Sequence, residues 1–223
     1  MENRNFERKL PEGYELAKYI DARKPMFGLV MNGIALLVLL AIAVINFALI
    51  AAVTGEGVFS NYSTVKSLGF GGVFGTILSF VYIALHELVH GYAYKKKTGE
   101  KLTFGMSWSC AYCGVPDIYV YRKPALFAVL APFVFFGVLF LGLTVVSLAV
   151  IAFTGNLAVL NVFCFVYVAV TVLQGMHVGG CSGDLYVALL LCRRFADDRT
   201  LVRDTGPEQF FYIPVKEDEE YML

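Results

Sequence analysis

The sequence predicts an all-α polytopic membrane protein, with four transmembrane helices and a short cytoplasmic-side β-hairpin between helices two and three. Of 223 residues, 58% are hydrophobic and only 16% charged, a composition that excludes an ordinary soluble domain. The charges gather between long apolar runs, each able to cross a hydrocarbon core about 30 Å thick. A lipid bilayer is therefore the partner that the composition requires. The formal net charge is zero, so no basic surface argues for nucleic acid.

Residues 1–25 form a polar N-terminal segment carrying six Lys/Arg. Span one, residues 26–53, holds no charge and would be about 42 Å long as a helix. It is too long for the apolar core of a signal peptide and is expected to stay in the mature chain. A polar connector leads to span two, residues 70–94. After Lys95-Lys96-Lys97, the segments 101–109 and 115–121 are rich in aromatic and β-branched residues. With residues 110–114 as the turn they read as a β-hairpin, the alternative being an irregular interfacial loop. Trp108, Tyr112, Tyr119 and Tyr121 suit a membrane interface.

Span three, residues 124–153, is uncharged and contains Pro132, which either bends the helix or is an ordinary membrane proline. The apolar stretch 157–192 would measure about 54 Å as one helix, too long for a straight span. A break near residues 179–183, in Gly179-Gly180-Cys181-Ser182-Gly183, resolves this. Residues 193–223 form a polar C-terminal tail with an acidic end at Glu217–Glu220. Five scattered cysteines, an odd number, read as thiols rather than a disulfide framework. With four spans, 17 of the 18 Lys/Arg fall on one side and Lys66 alone on the other. The positive-inside rule then puts both termini and the hairpin in the cytoplasm of a multi-pass cell-membrane protein.

Near the end of span two lies His86-Glu87-Leu88-Val89-His90. Histidines four apart on a helix differ by about 40° in azimuth and can both reach one tetrahedral zinc ion. Glu87 then stands beside the metal as a general base, the zincin arrangement. The chain has only three histidines, and its composition predicts about 0.002 chance occurrences of H-E-x-x-H. The bland alternative is two helical histidines satisfied by their neighbours.

Only two acids, Glu87 and Asp184, lie within the apolar stretches, and intramembrane carboxylates are functional candidates by default. His86 precedes Lys95, and Asp184 precedes Arg193, by the same nine residues, a shared depth of about 13 Å. Asp184 is therefore expected as the third metal ligand, completing His86 and His90; capping of a broken helix is its alternative. His177 is the competing ligand, but it sits deeper and brings no charge to offset Zn²⁺. It is expected beside the site rather than on the metal.

His86-Glu-Leu-Val-His-Gly91, Ala131-Pro132 and Ser182-Gly183-Asp184 resemble a family of bacterial multi-pass membrane zincin metallopeptidases. More distantly, they are similar to the site-2 proteases, which cleave substrates within or beside the membrane. The resemblance implies His86, His90 and Asp184 as zinc ligands and Glu87 as the catalytic glutamate. Around the aspartate, site-2 proteases carry a Leu-Asp-Gly or Asn-Pro-Asp-Gly type of motif, whereas this chain has Ser182-Gly183-Asp184-Leu185.

The expected function is zinc-dependent, membrane-embedded hydrolysis of peptide bonds in a membrane protein or peptide substrate. The alternatives are an intramembrane metal-binding transporter or sensor without proteolysis, and a silent scaffold. A transporter can use Glu87 as a ligand, while a peptidase needs it as a base.

Overall fold

Helix α1 spans Pro25–Thr54. Proline suits its first turn, where the missing N–H has no helical partner, and Gly55 stops it at φ 61°. A single turn, α2, covers Gly57–Ser60. Helix α3, Tyr62–Thr98, begins earlier than expected for span two. The cause is Asn61, whose side-chain oxygen accepts from the Ser63 and Thr64 amides at 3.0 and 3.2 Å, an N-cap that draws part of the polar connector into the helix. Lys95, Lys96 and Lys97 close α3, where cations complement the helix dipole.

Helix α4 spans Arg122–Phe153 with Pro132 inside it. Helix α5, Leu157–Gly180, is capped by Asn156 and ends at Cys181, and α6 resumes over Ser182–Arg193 with Asp184 in its first turn. The break thus falls where the glycines make a helix costly to continue. Among the described residues, α1, α3, α4 and α5 are long and apolar enough to cross a membrane. Large apolar side chains stand exposed along all four, including Leu37, Phe80, Val138 and Val162.

This computed structural model describes residues 5–215 apart from Glu56 and Ser109. Residues 1–4 and the acidic end Glu217–Glu220 lie outside the described residues. The chain is mostly helical, yet the all-α expectation is corrected by two sheets. Strands β3 (Thr103–Met106) and β4 (Ala111–Gly114) pair antiparallel as a hairpin. The first strand lies where the sequence put it. The second occupies the residues read as the turn, because the chain already reverses at Ser107–Cys110, where the Ser107 amide donates to the Cys110 carbonyl at 2.8 Å. Pro116, which cannot donate to a ladder, interrupts the strand expected over 115–121. Only its end, β5 (Tyr119–Tyr121), is extended.

Strand β5 joins β1 (Phe6–Glu7), β2 (Tyr14–Asp21), β6 (Leu201–Asp204) and β7 (Glu208–Pro214) in an antiparallel sheet ordered β1-β5-β6-β7-β2. The polar N-terminal segment and C-terminal tail therefore carry structure that their composition hid. In β2 only Ile20 is buried, so the strand lacks the period-two alternation that would have marked it.

The chain clusters into two compact units whose boundaries cut through continuous helices. One contains the described residues up to Leu29, Glu87–Ala131, and the described residues from Asp184 onward. In it, Val120, Val202 and Phe211 of the sheet pack with Tyr94 of α3, Ala128 of α4 and Leu191 of α6. Burying a side chain such as Phe211 is worth about 1.5–3 kcal/mol.

The other unit contains Val30–His86 and Pro132–Gly183. Ile50, Val58, Ile151, Cys164 and Tyr167 cluster there, and the Tyr167 hydroxyl donates to the Asn46 carbonyl and side-chain oxygens at 2.9 Å. A β-carbon on Gly179 would come within 2.5 Å of the Ala35 carbonyl oxygen, so glycine there permits close approach of α5 to α1. None of the five cysteines forms a disulfide.

Candidate metal centre

Helix α3 carries a stripe of polar side chains four residues apart: Tyr82, His86, His90 and Tyr94. All four are buried. This follows from helical geometry, since an i, i+4 series stays on one face. The H-E-x-x-H motif is the centre of that longer series. Its outer members, the two tyrosines, escaped the motif reading, although the four-residue spacing was a signal available in the sequence.

His90 is anchored by α4. Its Nδ1 lies 2.9 Å from the Ala128 carbonyl oxygen. A carbonyl only accepts, so Nδ1 carries the proton and a neutral ring keeps its lone pair on Nε2. That Nε2 faces Asp184, 3.4 Å from Oδ2. Gly91 follows at once, where a β-carbon would come within 2.6 Å of the Phe104 ring. Glycine thus lets β3 lie against α3 immediately after the second histidine. His86 is one helical turn before His90 on the unbroken α3, so its distance from His90 is set by the helix. His90 and Asp184 thus bring two potential ligand atoms together, and the continuous α3 carries His86 on the same face as His90.

These donors fit zinc. Ligands about 2.0–2.1 Å from a tetrahedral ion are separated by about 3.3–3.4 Å, the observed spacing between His90 Nε2 and Asp184 Oδ2. Two neutral imidazoles and one carboxylate offset part of the ion's charge in a buried setting. Three protein ligands also leave the fourth position that catalytic zinc sites keep open. Glu87, partly buried, adjoins His86 in sequence, and its charge is felt at Cys113 of β4. The Cys113 thiol is pushed up to about 12, mainly by burial, which disfavours the thiolate that metal binding requires.

A second group, His86, His177 and Cys181, also brings ligand atoms within 4.8 Å. The hydroxyl of Tyr82 is 2.9 Å from Nδ1 of both histidines. His177 Nε2 lies 3.1 Å from the Phe133 carbonyl. Both nitrogens of the His177 ring thus have hydrogen-bond partners. The alternative ligand therefore stands beside His86, joined to it through Tyr82.

Asp204, a buried acid near α3, was missed in the sequence because it sits in the segment read as a tail. Its Oδ2 accepts from the Tyr94 hydroxyl at 2.7 Å and its Oδ1 from the Gly206 amide at 2.9 Å. Burial nonetheless raises its carboxyl from 3.8 to about 6. The folded chain then holds this proton up to about pH 6, whereas the unfolded chain releases it near 3.8. Between those values the native state binds more protons, so this stabilisation is fully present below about pH 4 and lost as pH rises through 6. Relative to Asp204→Asn, the detergent-solubilised wild type should lose up to about 3 kcal/mol of stability from pH 4 to 6.5. Parallel thermal unfolding curves of the two proteins would contradict this.

A family model described as "Putative zincin peptidase" matches residues 79–198, just over half of the chain. The match contains His86, Glu87, His90 and Asp184, together with Tyr82 and His177. No curated protein and no solved structure matches the chain.

Proposed function

The chain belongs to the zincin peptidase family, whose cofactor is zinc, and on that premise we propose that it is a membrane-embedded metalloendopeptidase. Its substrates are membrane or membrane-associated proteins. His86, His90 and Asp184 hold the metal and Glu87 is the general base. The observation that carries the reading is the 3.4 Å separation of His90 Nε2 and Asp184 Oδ2 beside a glutamate on the same helix.

Zinc, when bound, supplies Lewis acidity that polarises a carbonyl and lowers the pKa of water to about 7. The chain's own groups do the rest. Ala128 holds the His90 ring with Nε2 facing Asp184. The Glu87 carboxylate accepts a proton from the attacking water and delivers it to the leaving nitrogen, a role worth about 10²–10⁴-fold in rate. Strand β3, which lies against α3 at Gly91, offers backbone groups on which an extended substrate can add as a further strand.

Exposed apolar side chains on α1, α3 and α4 support immersion in lipid, since soluble monomers rarely expose contiguous apolar surfaces of this kind. The placement of Glu87 and Asp184 within apolar stretches supports a site-2-protease-like arrangement, with hydrolysis in or beside the bilayer. The lysine and arginine distribution supports cytoplasmic termini. Cysteines introduced near Lys96 should accordingly react with an impermeant reagent from the cytoplasm, and Lys66→Cys only from the opposite face. Labelling of Lys66→Cys from the cytoplasm would overturn the topology.

Quantitative proteomics of membranes carrying wild type or Glu87→Gln tests the activity. Substrates should accumulate intact, and their fragments vanish, in the variant. Identical membrane proteomes and fragment patterns would sink the peptidase reading.

A further inference from the structure

The two histidines of the motif are anchored differently. His90 Nδ1 meets a backbone carbonyl, which can only accept and therefore fixes the proton on Nδ1. His86 Nδ1 meets the Tyr82 hydroxyl at 2.9 Å, and a hydroxyl can donate or accept. Were Tyr82 to donate to His86, the ring would keep its proton on Nε2 and could not bind a metal there. Tyr82 alone does not decide between these states.

His177 decides. Its Nε2 is 3.1 Å from the Phe133 carbonyl oxygen, so the proton of the neutral ring is on Nε2 and Nδ1 accepts. The Tyr82 hydroxyl, 2.9 Å from that Nδ1, must then donate its single hydrogen to His177. It is left to accept from His86 Nδ1–H. The Cys181 thiol, 3.6 Å from His177 Nδ1, also approaches this nitrogen as a donor. Polarity thus runs one way, from His86 Nδ1–H to Tyr82, from the Tyr82 hydroxyl to His177 Nδ1, and from His177 Nε2–H to the Phe133 carbonyl. Rings hold the relay in place: Tyr82 meets Phe136 and Phe140 edge-on, and Phe133 stacks on His177.

We propose that Tyr82 and His177 are positioning residues that lock His86 in its Nδ1–H form and so make Nε2 its metal-binding nitrogen. The inference rests on the reading of His86 as a zinc ligand. Outer partners of this kind fix the tautomer and orientation of a metal-bound histidine and raise its basicity. His177 acts only through Tyr82, so the two should not contribute independently.

The chain's three histidines make the test tractable. Imidazole ¹⁵N spectra of the full-length, zinc-loaded protein, assigned with single substitutions, should place the proton on Nδ1 in His86 and on Nε2 in His177. A proton on His86 Nε2, or on His177 Nδ1 alone, would overturn the proposal without requiring any variant to fold. Zinc affinity is the second readout, in variants whose helicity matches wild type. Tyr82→Phe keeps the ring and removes the hydroxyl, and should weaken zinc binding by about 10–100-fold.

The Tyr82→Phe, His177→Gln double variant should bind zinc no more weakly than Tyr82→Phe alone. Unchanged affinity in Tyr82→Phe, or losses that multiply in the double variant, would refute the relay while leaving the metal centre intact. His86→Ala separates the two readings. If it binds zinc as tightly as wild type, the metal-centre assignment itself fails and the relay with it.

Discussion

Glu87→Gln should abolish peptide hydrolysis and leave zinc bound. The amide matches the carboxylate in volume and still hydrogen-bonds, but it cannot accept the proton of the attacking water. The turn of α3 that presents His86 and His90 should therefore survive the substitution while the base is lost. The expected fall in rate is at least about 10²–10⁴-fold, the usual contribution of a positioned general base. Zinc content by elemental analysis and hydrolysis of a peptide substrate, measured on the same preparation, separate the two effects. Joint loss of metal and activity would make Glu87 a ligand, the outcome a metal transporter predicts.

The part of this site legible in the sequence was the part written at fixed helical spacing. His86, Glu87 and His90 follow from one turn of one helix, and their helix forms for the reason that its apolar run suggested. Asp184 was reachable because an acid in an apolar stretch is rare and because Gly179, Gly180 and Gly183 marked a helix break, which falls at Cys181. The Tyr82–His177 relay was only half legible. Tyr82 lies at helical spacing from His86, but its partner is 95 residues away, and no local pattern encodes that pairing.

The sheet was least legible. Strands β1, β2, β6 and β7 come from segments near the two ends of the chain, and each is short or weakly alternating. Their pairing is a product of tertiary packing on Tyr94, Ala128 and Leu191, against which local propensity says little. The hairpin reading failed by a few residues for a smaller reason. The sequence puts the turn at residues 110–114, whereas the Ser107–Cys110 reversal ends before Ala111 and frees Ala111–Gly114 to pair with β3.

Asp184→Ala should strip the protein of tightly held zinc, whereas His177→Ala should still load when zinc exceeds its raised dissociation constant. Asp184 Oδ2 faces His90 Nε2 at a tetrahedral ligand spacing. Its removal leaves two neutral imidazoles to hold a doubly charged ion in a buried site, without the anion that offsets its charge. His177 differs in that both of its ring nitrogens have hydrogen-bond partners, one the Tyr82 hydroxyl and the other the Phe133 carbonyl. Recruiting it as a ligand would mean breaking one of those bonds. Its loss should act through the orientation of His86 and weaken zinc by about 10–100-fold, leaving the ligand set intact. Zinc titrations of both purified variants read the difference. Metal retained in Asp184→Ala and lost in His177→Ala would transfer the third ligand to His177 and move the centre toward Cys181.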